Sequence, residues 1–160
     1  LMHLLDDAEI TCWADAVRLA PAGFAAVEAA QATMWDRVDP ALLELARVRI
    51  AQLLGDDHAA GRRSRRAIDA GLTETTMAEL RHWPTSPQFG ERERQCLALT
   101  EQFMVDVNGV TDEQVAVVVA TIGAAETHAF VAALWAFEQV LRLCLVLGIH
   151  PPPAHLGDPS

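Results

Sequence analysis

The sequence predicts one all-α domain, and three observations support that prediction. Apolar residues recur every three or four positions along most of the chain, which is the spacing of one helix face. Residues that start and stop helices separate these segments. No segment shows the sustained alternation of apolar and polar residues that is typical of half-buried strands. The 160 residues, 51% of them hydrophobic, can supply the core of a single domain.

The first 35 residues are predicted to form an amino-terminal helical arm. One helix covers residues 6–19, and a second covers about residues 22–35. Pro21 and Gly23 are expected to interrupt the chain where these helices meet, because both residues disfavour a helix interior.

The main domain is predicted to span residues 36–148 and to open with a well-marked helix. Asp39 can accept hydrogen bonds from the free amides of a first turn, and Pro40 is suited to the first helical position. The helix should end at Gly55, which tolerates a left-handed cap.

Further helices follow, up to a Pro-rich tail at residues 149–160 that is predicted to be extended or disordered. The run VAVVVA is ambiguous by composition, but the capping-box spacing of Thr111 and Gln114 favours a helix. The predicted helices after Gly55 cover residues 57–70, 72–81, 91–105, 111–121 and 125–147.

Charge and cysteine usage limit the function classes. The formal net charge of −10 argues against a nucleic-acid binder or a polybasic membrane anchor. The apolar stretch Phe130 to Leu147 is interrupted by polar residues and is predicted to be a buried helix. Cys12, Cys96 and Cys144 are far apart and form no metal or redox spacing, so each is expected to act as a small hydrophobe in a reducing cytoplasm.

Glu44 is the first candidate functional residue, because it falls on a largely apolar helix face. A carboxylate there must be paired, and a buried one is suited to general acid or base catalysis. The structural alternative is an ion pair with Arg47, three residues further along the same helix.

The face that carries Glu44 points toward the start of the next helix, where Asp56, Asp57 and His58 follow Gly55. His58 is a candidate for proton transfer, with Glu44 and Asp56 as supporting carboxylates. The alternative is that both aspartates cap the helix and His58 is an ordinary residue of its first turn. Their adjacent positions lack the spacing of metal ligands, so no metal or other cofactor is predicted.

Three stretches resemble the carboxymuconolactone decarboxylase family, also described as alkylhydroperoxidase D-like. They read ELARVRIAQLLGDDHAAGRRSRRAIDAGLTE, FGERERQCLALTE and VTDEQVAVVVATIGAAETHAFVAALWAF, and lie within residues 36–148. The resemblance implies an alkylhydroperoxidase D-like helical bundle of about six to seven helices, whose protomers form trimers or hexamers.

In the peroxidase branch of that family, a glutamate precedes a Cys-x-x-Cys pair by twelve residues. The resemblance places the glutamate at Glu44, the two cysteines at Asp56 and Ala59, and a histidine between them at His58. A later family histidine falls on Arg63, which is instead a candidate for holding a substrate carboxylate or carbonyl. The characteristic histidine of the decarboxylase branch falls on Arg63 as well.

Peroxide reduction by this family's route requires a thiolate that becomes a sulfenic acid and a second thiol that resolves it. Neither Asp56 nor Ala59 can supply that chemistry. The polar positions of the family's last helix are taken by Trp135 and Phe137, so Trp135 is predicted to give a substrate pocket an apolar wall.

The sequence therefore favours an acid/base enzyme that acts on a small organic molecule, without the dithiol peroxidase cysteines. Two alternatives remain: a non-catalytic oligomeric binding protein, and peroxidase activity through a non-standard cysteine. A small-molecule partner and self-association are expected, and nucleic-acid and membrane partners are not.

Overall fold

A computed structural model describes residues 10–151, and every regular element in this range is a helix. The all-α prediction is confirmed. The predicted start of the arm helix at residue 6 and the predicted conformation of the tail beyond residue 151 lie outside the described residues.

The helices follow one another with short connections. Single turns of 3-10 helix lie at Leu80–His82 and Val107–Gly109. The α-helices are α1 (Trp13–Leu19), α2 (Pro21–Arg37), α3 (Pro40–Leu54), α4 (Asp57–Gly61), α5 (Arg65–Asp69), α6 (Glu74–Glu79), α7 (Glu91–Val105), α8 (Asp112–Ile122) and α9 (Ala124–Leu147).

The arm differs from its prediction at both helices. Helix α1 begins only at Trp13, because Cys12 is extended and the Asp15 carboxylate accepts hydrogen bonds from the Thr11 and Cys12 amides. Pro21 does not interrupt α2 but starts it, at a position where a missing amide proton carries no penalty. Gly23 then lies inside the helix.

Helix α3 begins and ends where its sequence predicts. The Asp39 carboxylate accepts hydrogen bonds from the amides of Ala41 (2.9 Å) and Leu42 (3.1 Å). Gly55 ends the helix with φ of 74°, a left-handed conformation that costs a glycine little. These caps fix the position of the central helix of the domain.

The core lies where α3 packs against α7 and α9. Leu43, Ile50 and Phe130 are fully buried there, and each contributes about 1.5–3 kcal/mol by leaving water. Helix α2 covers α9, with the Trp35 and Phe137 ring centroids 6.1 Å apart. The arm is therefore part of the same packed body as the main domain.

Helix α9 is long and apolar enough to cross a membrane by length and composition alone. It packs against α2, α3 and α8, and its inward side contributes Phe130, Leu134 and Phe137 to the core. This packing accounts for the apolar residues on its inward side.

The predicted helix over residues 57–70 is two short helices, because the chain is extended between α4 and α5. Arg62 has φ of −85° and ψ of 153°, and Ser64 has φ of −70° and ψ of 133°. Two side chains of α3 hold this break in place. The guanidinium of Arg47 donates to the carbonyls of Ala59 (3.0 Å) and Arg62 (2.8 Å), and Glu44 accepts from the Ser64 amide (2.9 Å).

Glu44 and Arg47 also bind each other through two hydrogen bonds, each 2.8 Å long. The Glu44 and Arg47 side chains are 0% and 4% exposed, so neither charge is solvated. Breaking such a pair leaves an uncompensated buried charge. The pair therefore determines both the path of the chain through residues 62–64 and a large part of its local stability.

We expect Glu44→Leu alone or Arg47→Met alone to lower the free energy of unfolding by about 3–5 kcal/mol, measured by urea denaturation. The double variant should lose less than the sum of the two, because it leaves no isolated charge. Arg65→Met is the matched control, since its ion pair with Asp69 is exposed and is worth at most about 1 kcal/mol. Strictly additive losses in the double variant would contradict the proposed coupling.

Candidate functional site

Glu44, the predicted acid or base, lies beneath the α4–α5 segment with its carboxylate fully occupied. It receives two hydrogen bonds from Arg47 and one from the Ser64 amide. A general base must present a free lone pair to the proton that it removes. In this geometry Glu44 binds the Arg47 guanidinium and the Ser64 amide instead. This is the ion-pair alternative that the sequence left open.

Asp56 acts as the cap of α4. Its carboxylate accepts a hydrogen bond of 2.9 Å from the Ala59 amide, and the residue is 6% exposed. Asp56 also lies close enough to Cys144 for its negative charge to raise the pKa of that thiol. The structure thus places the carboxylate where it stabilises the start of a helix.

His58 is an exposed residue of α4. Its ring is exposed and stacks on the ring of His150, with the centroids 3.6 Å apart and the planes 21° from parallel. Glu44 is fully buried below, so the structure does not bring the imidazole and this carboxylate onto one surface. His150 could not be linked to His58 from sequence, because it lies 92 positions further along the chain.

Arg63, the predicted substrate-binding cation, has protein partners. Its guanidinium donates to the Ala60 and Arg62 carbonyls at 2.6 and 2.8 Å, and it pairs with Glu74 at 3.2 Å. Neighbouring arginines have partners as well, among them Arg66 with Asp36 at 2.7 Å. The arginine cluster is therefore a paired, partly solvated surface.

Trp135 points away from the core and is 52% exposed, whereas Phe137 is buried against Trp35. Trp135 does not line either of the two cavities described below. Trp135, which was predicted to form an apolar wall of a substrate pocket, thus faces outward.

The cysteines form no disulfide and lie in different surroundings. Cys12 is exposed, contrary to the expectation of a buried small hydrophobe, because it precedes the first turn of α1. Cys96 and Cys144 are buried, and burial raises the pKa of each thiol to about 12. Within residues 10–151, no three His, Cys, Asp or Glu side chains are grouped so that they could hold a metal ion.

A cavity of about 250 Å³ lies between the arm and α9. None of the predicted site residues lines it. Two aromatic rings, those of Trp13 and Phe24, meet edge to face in its wall with centroids 4.9 Å apart. Gln139 is its one polar lining residue. The full lining is Trp13, Ala20, Gly23, Phe24, Val27, Gln139, Val140 and Leu143.

Sequence reasoning missed this cavity because its walls come from segments more than a hundred residues apart in the chain. In the sequence, Gly23 was the one residue that could have pointed to this cavity. It lies inside α2, and a Cβ added there would meet no atom within 4 Å. Packing therefore does not require a glycine at this position.

A second depression of about 370 Å³ has a more polar lining, formed by Trp83, Ala98, Glu101, Gln102, Val105 and Gln114. One oxygen of Glu101 accepts from the Trp83 indole (2.7 Å) and from Arg49 (2.6 Å). This carboxylate joins α3, α7 and the loop before α7, which gives it a structural role.

Comparison with known proteins agrees with this architecture. The model of the carboxymuconolactone decarboxylase family matches residues 20–102, just over half of the chain. Among solved structures, the chain is similar to a protein of unknown function from Agrobacterium tumefaciens whose suggested role is that of the antioxidant defence protein AhpD. The two share 18% identity with a TM-score of 0.73, over 91% of this chain and 99% of the other, which establishes a common fold. No curated protein matches the chain.

The order of helices, the common fold and the family match agree with one another. The chain belongs to the carboxymuconolactone decarboxylase family and has the AhpD-like fold.

Proposed function

We propose that this family member binds a small apolar molecule in the cavity between the arm and α9, and that it does so without dithiol chemistry. The observation that carries the proposal is the lining of that cavity, which is apolar apart from Gln139. Concave apolar sites with few polar groups are the usual form of small-molecule sites in proteins.

The size and lining of the cavity define the class of ligand. The cavity measures about 250 Å³ and is open to solvent, so it suits a compact molecule that it covers only in part. Trp13 and Phe24 present ring faces and edges, which favour an aromatic or a compact aliphatic molecule. The lining presents almost no polar surface, so it offers a ligand apolar contact rather than hydrogen bonds. A charged ligand is disfavoured, because the lining offers it no counter-ion.

The acid/base hypothesis has less geometric support. Glu44 is occupied by Arg47, Asp56 caps α4, and His58 stacks on His150. None of these side chains lines the cavity with the apolar wall. The non-catalytic binding alternative is therefore the one that we carry forward.

The binding proposal is tested with a neutral naphthylamine dye, whose fluorescence rises in apolar surroundings. We expect saturable binding to the wild-type chain and binding weaker by about tenfold or more in Gly23→Leu, because the added side chain fills part of the cavity.

Gly61→Leu is the matched control for this experiment. Gly61 also lies in a helix with no atom near its missing Cβ, but it does not line the cavity. Circular dichroism and thermal melting should show that both variants fold. Absence of saturable binding, or equal affinity in wild type and Gly23→Leu, would exclude this site.

The peroxidase alternative is tested through the thiols. A pKa of about 12 for Cys96 and Cys144 leaves about one thiolate in 10⁴ at pH 8. We expect a thiol reagent to modify Cys12 rapidly and the two buried cysteines only after unfolding in urea. Mass spectrometry of the labelled chain identifies the sites.

An organic peroxide and a dithiol should then give no turnover beyond the uncatalysed rate. Cys12→Ser removes the exposed thiol, and Cys96→Ser and Cys144→Ser each remove a buried one, so the three variants assign any activity to its sulfur. Dithiol-dependent peroxide reduction that disappears in any one of them would restore the peroxidase hypothesis.

Self-association is proposed through the outer face of α9. Trp135 and Val146 are 52% and 70% exposed and lie eleven residues apart, close to three helical turns, so they share one face. Large aromatic side chains of this kind are enriched at protein interfaces. A second copy of the chain is the proposed occupant of this face.

We expect the wild-type chain to sediment at a mass above that of one chain, and Trp135→Glu to dissociate it by burying an unpaired charge in the contact. Val105→Glu is the matched control, since Val105 is 77% exposed at the end of α7. A monomeric wild type at micromolar concentration, or equal dissociation by both variants, would refute this contact.

A further inference from the structure

The last described residues, 148–151, fold back onto α4. Gly148 ends α9 with φ of 68°, which turns the chain through a left-handed cap. Ile149 is then buried, and its amide donates a hydrogen bond of 3.0 Å to the Cys144 carbonyl. It packs in a cluster with Trp13, Ala16, Val140 and Cys144.

Two contacts join this segment to α4 and the residue after it. Arg62 donates a hydrogen bond of 2.7 Å to the Pro151 carbonyl. The rings of His58 and His150 stack with centroids 3.6 Å apart. Both imidazoles are exposed, so each can exchange protons with the solvent.

We propose that His58 and His150 form a proton-sensitive latch that holds residues 148–151 against α4. Neutral imidazoles stack without charge repulsion. Histidine is the side chain that ordinarily changes its charge between about pH 5 and pH 8. Once both rings carry a proton, two like charges face each other at 3.6 Å and the contact is weakened. Acidification therefore weakens this contact and makes opening of the segment more frequent, while the buried Ile149 side chain and the Arg62–Pro151 hydrogen bond continue to hold it.

The charged groups around the pair do not cancel this repulsion. From α4, Asp57 is exposed and faces Arg81 of the 3-10 turn at 3.7 Å, and Asp56 is held by the Ala59 amide. Arg62 adds a permanent positive charge on the same side as Pro151. From α9, burial keeps the thiol of Cys144 uncharged, with its pKa raised to about 12.

The stacked geometry favours the proton over a metal ion as the ligand of this pair. Metal-bound imidazoles direct nitrogen lone pairs at one point. Rings stacked nearly in parallel direct their lone pairs along separate lines. In addition, no third metal-ligating side chain groups with them among residues 10–151.

The latch is tested by hydrogen exchange of the Ile149 amide, measured by NMR at about pH 7.5 and about pH 5 and converted to protection factors. We expect protection to fall by about fivefold on acidification, the factor set by the repulsion of two exposed unit charges at this separation. The amide of Leu134, in the middle of α9, should keep its protection, which separates local release from global unfolding.

His58→Gln and His150→Gln should each abolish the pH dependence at Ile149, because one neutral partner removes the repulsion. His128→Gln is the control. It removes an exposed histidine of α9 that is not part of the pair, so the pH dependence at Ile149 should remain. The proposal is overturned if wild-type protection is equal at both pH values, or if the fall persists in both glutamine variants. A simultaneous loss at Leu134 would overturn it as well.

Discussion

The buried pair of Glu44 and Arg47 fixes the path of the chain from α4 through α5. One guanidinium satisfies the carbonyls of Ala59 and Arg62 while it neutralises Glu44, and Glu44 in turn accepts the Ser64 amide. Burying these two charges carries a desolvation cost that only near-complete hydrogen bonding offsets. Because all of these bonds are present, α4, the extended residues after it and α5 are held to α3 as one unit.

This arrangement has a direct chemical consequence. A carboxylate that already accepts three hydrogen bonds has little capacity to take a proton from a substrate, and reaching it would require breaking the pair. Glu44 therefore serves in the architecture of the α4–α5 segment. The apolar cavity to which we assign binding lies elsewhere, between the arm and α9.

Local chemistry explains which features were predictable from sequence. Asp39 and Gly55 bound α3 as expected, because a cap depends on neighbours within four residues. The break after α4 was missed because its cause is tertiary: Arg47 and Glu44 reach across from another helix. For the same reason, the spacing of Glu44 and Arg47 indicated an ion pair between them. It could not indicate the hydrogen bonds that these two side chains make to the backbone of residues 62–64.

Local electrostatics at the start of α4 also oppose thiol chemistry. Free amides at a helix start normally favour a thiolate, but here the Asp56 carboxylate accepts the Ala59 amide and contributes a negative charge. Burial, and to a lesser degree that charge, raises the pKa of the nearby Cys144 thiol to about 12. Cys144 is therefore poorly suited to act as a thiolate beside α4, and a change that relieved only the Asp56 charge would leave the larger effect, burial, in place.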